Sequence, residues 1–395
     1  MFLSFMIHSP WSEPNIYSDI GSFWGRAEVQ HGLVPYFQFF FEYPPISGCI
    51  LYLARTLGGN VNGYFEVFGV ISLIAALGIA WSCWRIANLL GTRLSPLYFF
   101  LPSVIFYGFY NFDLFNALFI ILSVQFLLEG RKGASAAALG LSIATKLVGG
   151  VLLPIYLLEL RSHRAPDPIG SGKESGNSTR GVTVSKRNLA NRTRKWFKVN
   201  RVWLTYLATT AAVAAIFYLP IAFLNFNYFF QFYSYLRGWG LEDAWYIWIF
   251  QDPFSAAAKW FGLVISVILI LRVYTLKVSL VPKVFLGLAA YLLGSYIYSP
   301  QFNVMLIPLV IVLAIDDPSL YAWEVFNALI ILTWFLVGNP TSAWTLPQAM
   351  SLLRTASLGW LCLALLHRCG IRPVELVPSF LRRRTLLDST SVSGA

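Results

Sequence analysis

Between Tyr17 and Pro45 the chain reads YSDIGSFWGRAEVQHGLVPYFQFFFEYPP, and polar and ionisable side chains crowd together there. Asp19, Arg26, Glu28, His31 and Glu42 stand among aromatic rings, while almost everything after them is apolar. A carboxylate beside a membrane costs free energy unless it is solvated or used. Asp19 follows an aromatic-flanked turn, where it can stay ionised while touching both water and a lipid-borne substrate. That placement suits a general base acting on an alcohol. A solvated loop aspartate or a helix N-cap would use the same residue type. Glu42 precedes Tyr43-Pro44-Pro45, whose prolines fix the backbone. It could bind a substrate hydroxyl, or be a helix-start carboxylate stabilised by the helix dipole.

Other candidates lie further along. Asp113, in YNFD between two apolar runs, is a second acidic group or the cap of the run that follows. Lys146 interrupts the apolar segment Leu139–Leu153, where an ammonium either snorkels or contacts an anion such as phosphate. Ser299-Pro300-Gln301 places an amide, or an ordinary turn, at another junction. The aromatic stretch Asn225–Pro253 reads as a loop of interfacial anchors, one or two of which could stack on a substrate. Several chemistries are missing from the sequence: there is no P-loop, GxGxxG or HExxH pattern. His8, His31, His163 and His367 form no ligand spacing, and Cys49, Cys83, Cys362 and Cys369 show no CxxC. Neither a metal nor another cofactor is expected.

The elements that must position these groups follow from composition. Of 395 residues, 57% are hydrophobic, 17% aromatic and only 12% charged, with a mean hydropathy of +0.63. A soluble domain carries about twice that charged fraction. The expected fold is all-α, a polytopic membrane protein with about 11–13 transmembrane helices. The net charge of +11 does not point to nucleic acid, because the basic residues lie between apolar runs. All of the 29 Lys and Arg except Arg26, Arg55, Lys146, Arg237, Lys259 and Arg354 can be placed on one side of the membrane. The positive-inside rule then puts the Asp19 loop on the outer or lumenal face. That topology requires Ala134–Leu160 to cross twice, with the break at KLVGG, Lys146–Gly150, where a glycine pair weakens the helix. Pro44–Leu57 reads as a helix of about 14 residues lying on the surface, short of the ~20 needed to span. Met1–His8 reads as an interfacial stub or the tail of a first helix. The organisation is a single transmembrane domain over 1–385, with 10–60 as an outer loop plus surface helix. Within it 161–201 is a disordered basic cytoplasmic linker, and 386–395 is a disordered tail.

These residues carry a resemblance. YSDI at 17–20, Ala27, Val29, GLVPY at 32–36 and EYPP at 42–45 resemble the first outer loop of polyprenol-phosphate-sugar glycosyltransferases of the GT-C superfamily. The likeness is greatest to the α-mannosyltransferase branches, including glycosylphosphatidylinositol mannosyltransferase I. Further pieces are NFDLFNALFIILSVQFLLEGRKGASAAALGLSIATKL at 111–147 and SPQFNVMLIP at 299–308. The resemblance implies a GT-C fold with an acidic first-loop general base, and it puts that role on Asp19. It implies a polyprenyl (dolichyl) phosphate sugar donor with its phosphate near Lys146, and a lipid-linked or glycan hydroxyl acceptor. Arg26 could also stabilise the leaving phosphate, and Tyr17, Glu42, Tyr43, Asp113 and Gln301 complete the candidate substrate-binding residues. Membrane lipids and a small accessory membrane subunit are the other implied partners. Gly21 stands where relatives with a paired-acid motif carry a second carboxylate. The rival reading, a multi-pass transporter or lipid-linked sugar flippase, expects charges at mid-membrane and symmetric broken helices. This chain gathers its polar groups toward one face and shows no repeat.

Overall fold

A computed structural model describes residues 1–12, 15–162 and 186–371. Among the described residues every regular element is helical, and β-pairing is confined to isolated bridges. The stretch 163–185, with the sequon Asn177-Ser178-Thr179, and 372–395, with the expected tail 386–395, lie outside the described residues. In chain order the α-helices are α1 Phe2–His8, α2 Asp19–Trp24, α3 Ala27–Gln30, α4 Pro45–Gly58, α5 Val61–Leu90 and α6 Pro102–Tyr107. Then come α7 Asp113–Leu128, α8 Lys132–Thr145, α9 Leu152–Ser162, α10 Lys186–Leu224, α11 Phe226–Gly238 and α12 Ile247–Phe250. The last are α13 Ala256–Thr275, α14 Leu280–Gly294, α15 Ile307–Leu313, α16 Pro318–Trp334 and α17 Leu346–Arg368.

Among the described residues four helices are long and apolar enough to cross a membrane: α5, the Arg201–Leu224 part of α10, α13 and α17. The other segments expected to span are present as shorter helices, because proline, glycine and buried polar groups interrupt them. The segment 96–109 breaks at Pro102 into a 3₁₀ turn, Pro96–Phe100, and α6. The segment 300–313 divides likewise into a 3₁₀ turn, Pro300–Met305, and α15. The chain is therefore a multi-pass, all-helical membrane protein whose helices differ widely in length. Small residues let them approach closely. A Cβ on Gly140 of α8 would press on the Thr210 carbonyl of α10 at 2.7 Å.

Side-chain bonds sort the connections into two ends. At one, Arg85 binds Glu129 at 2.9 Å, Tyr98 reaches the Ile315 carbonyl at 2.9 Å, and Arg368 reaches that of Ala314 at 3.0 Å. At the other lie the Asp19 loop, Asn111, Lys146, 239–246 and 295–301, joined by the contacts described below.

The chain does break within KLVGG. Lys146 is extended (φ −158°, ψ 128°), and a 3₁₀ turn, Leu147–Val151, leads into α9. Gly149 packs so tightly on Ser142 that a Cβ would overlap that side chain, so the chain doubles back there. Tyr156 of α9 bonds Ser123 at 2.8 Å, well along α7 from Asp113. The helix α4 spans Pro45–Gly58 and buries one face, Ile46, Gly48, Leu51 and Ala54. Two expectations are corrected. Residues 186–201, read as disordered linker from their basic composition, are the first turns of α10. The aromatic stretch 225–253, read as a loop, contains α11, capped by Asn225, whose side chain accepts from the Tyr228 N–H.

Candidate functional site

The start of α2 is fixed from several sides. The N-cap is Ser18, whose hydroxyl accepts from the Gly21 N–H at 3.2 Å, so the capping role does not fall on Asp19. The Ile20 N–H donates to the Tyr110 carbonyl at 3.2 Å, and the buried Tyr64 hydroxyl donates to the Ile20 carbonyl at 3.2 Å. These bonds bring the 107–112 turn beside the loop. Asn111 then donates to Asp19 Oδ2 at 3.2 Å, the same oxygen that accepts from Tyr43 at 2.7 Å; Tyr17 reaches Oδ1 at 3.3 Å.

Tyr43 is itself held by the loop's geometry. The Tyr36 hydroxyl donates to the Tyr43 and Pro44 carbonyls, both at 2.8 Å. Tyr36 adopts φ 66°, and its ring lies over Gly48, where any Cβ would overlap it. The GLVPY and EYPP segments are thus one device: a strained tyrosine, a bare glycine and a proline pair aim Tyr43 at Asp19. Glu42 does not start the helix, since Pro44 occupies the cap of α4. It makes a bidentate ion pair with Arg26, whose guanidinium also lies 4.9 Å from the Phe23 ring centre.

Tyr17, Asp19, Arg26, Glu42, Tyr43, Lys146 and Gln301 all line a single cavity of about 640 Å³. Asp113 does not. It is buried, 1% exposed, behind Lys146, and holds the ammonium at 2.5 Å. The expectation of a substrate contact at Asp113 is corrected on this ground: no atom of it lines the cavity. Nor does it cap α7: Phe112 is the N-cap and Asp113 the first helical residue, its own N–H donating to Asn111 Oδ1 at 2.9 Å. Lys146 also sits 3.4 Å from the centre of the Phe302 ring, a cation–π contact that leaves its outer side toward the cavity.

Electrostatics favour proton transfer at Asp19. Burial among the rings raises its pKa to about 6; the Tyr43 and Asn111 bonds pull it down, while the charges of Glu242 and Asp113 push it up. Such a carboxyl is mostly ionised at neutral pH, yet a stronger base than an ordinary aspartate.

Beyond the named candidates, the lining draws on the aromatic stretch 225–253, read as anchors of which one or two could stack on a substrate, and on its acidic pair. Phe232, Tyr235 and Leu236 come from α11, Trp239 from its C-cap, and Glu242, Asp243, Tyr296 and Ser299 from the loops that follow α11 and α14. The two loops are bridged: the Glu242 N–H donates to the Tyr296 carbonyl at 2.9 Å, and the Tyr298 N–H to the Glu242 carbonyl at 2.8 Å. Arg354 of α17 braces them, with Nη2 donating to the carbonyls of Asp243 at 3.1 Å and Tyr298 at 2.6 Å. The signals for this wall were weak in sequence: an acidic pair in an aromatic run, and one arginine in an apolar helix.

No family model matches the chain, and no curated protein does. Among solved structures it is similar to ArnT from Cupriavidus metallidurans bound to undecaprenyl phosphate. The TM-score is 0.46 at 15% sequence identity, covering 94% of this chain and 76% of that one.

Proposed function

We propose that the chain is a membrane glycosyltransferase of the GT-C type. It moves a sugar, mannose by the sequence motifs, from a polyprenyl phosphate to the hydroxyl of a lipid-linked or glycan acceptor on the outer or lumenal face. One observation carries the reading: a cavity at one end of the helices presents both a bonded, partly buried carboxylate, Asp19, and an ammonium, Lys146.

Asp19 takes the proton of the acceptor hydroxyl as that oxygen attacks the anomeric carbon. The bond from that carbon to the phosphate oxygen breaks, and the polyprenyl phosphate leaves with the electron pair. Displacement from the opposite face inverts the centre, so a β-linked donor gives an α-linked product. Lys146 sits where a phosphate diester could meet a positive charge fixed before the reaction, which lowers the cost of the charge that develops on leaving. Arg26 is engaged with Glu42 and supports the loop more than it offers a free charge. The aromatic lining suits both a sugar face and a prenyl chain.

The test is transfer in membranes containing the full chain, with radiolabelled polyprenyl-phosphate-mannose as donor and the labelled product identified. Label moving to a lipid or glycan with α configuration supports the proposal. Label that crosses the bilayer without changing its covalent attachment would establish transport instead.

A further inference from the structure

Glu242 is a second carboxylate on the cavity wall, and its surroundings differ from those of an ion-pairing residue. The indole N–H of Trp239 donates to Oε2 at 2.7 Å, and the Ser299 hydroxyl donates to Oε1. Both main-chain groups are bridged to 296–298, and Arg354 fixes that bridge from behind. Among the described residues no lysine or arginine forms an ion pair with it. A carboxylate has about four lone-pair sites, of which these donors use two. The carboxylate is therefore rigid, forms no direct ion pair and keeps acceptor capacity where it meets the cavity. A group placed only to stabilise the fold would gain more from a cation; one that receives neutral O–H donors needs this arrangement.

Its position relative to Lys146 narrows the ligand. Ser299, which bonds Glu242, immediately precedes the 3₁₀ turn that carries Phe302, and the Phe302 ring supports Lys146. Both groups line the same cavity, and the charge of Glu242 acts on the Lys146 ammonium. Resting on the function proposed above, we propose that Glu242 accepts hydrogen bonds from the ring hydroxyls of the donor sugar while Lys146 meets its phosphate. The donor class is a hexose with free hydroxyls, and Arg354 is a positioning residue that acts through Glu242.

Sites built to bond a substrate hydroxyl reject ligands that lack it, by much more than apolar pockets reject a missing methylene. The experiment measures binding to the full chain in lipid nanodiscs. The probes are polyprenyl-phosphate-mannose and polyprenyl methyl phosphate, which keeps the diester charge but has no sugar ring. Wild type should prefer the mannosylated lipid by at least about tenfold; Glu242→Gln and Glu242→Ala should keep affinity for the methyl ester within about twofold and lose the preference. Arg354→Lys should weaken the preference in wild type but add nothing to Glu242→Gln, the non-additivity expected of residues acting as a unit. Variants that keep the preference overturn the proposal, as does a wild type without one. Equal loss of both lipids, with a lowered unfolding temperature, also overturns it, by showing a structural role. Transfer assayed on the same samples separates the two readings. A preference lost in Glu242→Gln without any transfer by wild type supports sugar binding and removes the transferase. Transfer with the preference intact in Glu242→Gln removes this proposal alone.

Discussion

Arg354 and Lys146 are both cations set inside an apolar helical protein, and their surroundings have little in common. Arg354 is fully buried, with its guanidinium 3.6 Å from the Tyr298 ring centre and donating to the Asp243 and Tyr298 carbonyls and to Asn327 at 3.2 Å. Two of its acceptors are main-chain carbonyls on different loops, so it fixes where those loops lie. Lys146 keeps 17% of its side chain exposed, on the cavity wall, and takes its support from one carboxylate and one ring. The carboxylates divide in the same way. Asp243 turns its backbone (φ 54°) into the Arg354 cluster, and burial first, then the charge of Glu242, raises its pKa to about 8 despite Arg354. Asp19 accepts only neutral donors and stays mostly ionised at pH 7. A cation whose donors are spent on carbonyls maintains shape; one backed by a single buried acid remains available to a ligand.

Breaking each side separately should give different losses. Asp19→Asn keeps size and much of the hydrogen bonding but cannot take a proton. Its turnover should fall by about 10²–10⁴ with donor affinity nearly unchanged; retention of more than about a tenth of the rate would place the base elsewhere. Arg354→Met should act on the fold instead, costing about 3–5 kcal/mol as a buried network loses its central charge. Chemical or thermal unfolding in detergent would read that loss, and a variant of normal stability would show that the cluster does not brace the loops. Lys146→Met alone would strand Asp113, so the paired variant Lys146→Met with Asp113→Asn is the cleaner probe. It should fold and bind donor about 10–100-fold more weakly, the worth of one charged hydrogen bond. Unaltered affinity would remove Lys146 from the phosphate site. The smallest effect belongs to Tyr43→Phe. The Tyr43 bond lowers the Asp19 pKa, so its loss should move that pKa upward. Transfer should drop a few-fold near pH 6.5 and recover by pH 8; an equal loss at both values would indicate displaced substrate.

What could be read in the sequence was local. The Asp19 loop announced itself by polar residues among rings, and the glycine pair after Lys146 marked a real reversal of the chain. Ser18 shows the limit of residue type: serine and aspartate are adjacent candidates for the cap, and only the backbone decides between them. Asp113 was legible as an unusual acid but not as the support of Lys146, because that pairing depends on how α7 meets the break after α8. The helix α11 escaped notice because both its faces are aromatic. Phe232 and Tyr235 turn to the cavity while Phe226 and Phe230 are exposed, so the rings on both sides mask the thin polar stripe Asn227, Gln231 and Ser234 that does keep the helical period. Arg354 reaches the loop of Glu242 only through tertiary contacts between distant segments, and the sequence offers no more than an acidic pair in an aromatic run and one arginine in an apolar helix.

The claim that Asp19 removes the acceptor proton is tested most directly by the pH dependence of the chemical step. Single turnovers of bound polyprenyl-phosphate-mannose would be followed between pH 5 and pH 8 in wild type and in Asp19→Asn. A base with a pKa of about 6 must be ionised to act, so the wild-type rate should fall about tenfold per pH unit below that value and level off above it. The residual rate of Asp19→Asn should show no such break. A wild-type profile flat across the range, or a break that survives in Asp19→Asn, would contradict the assignment.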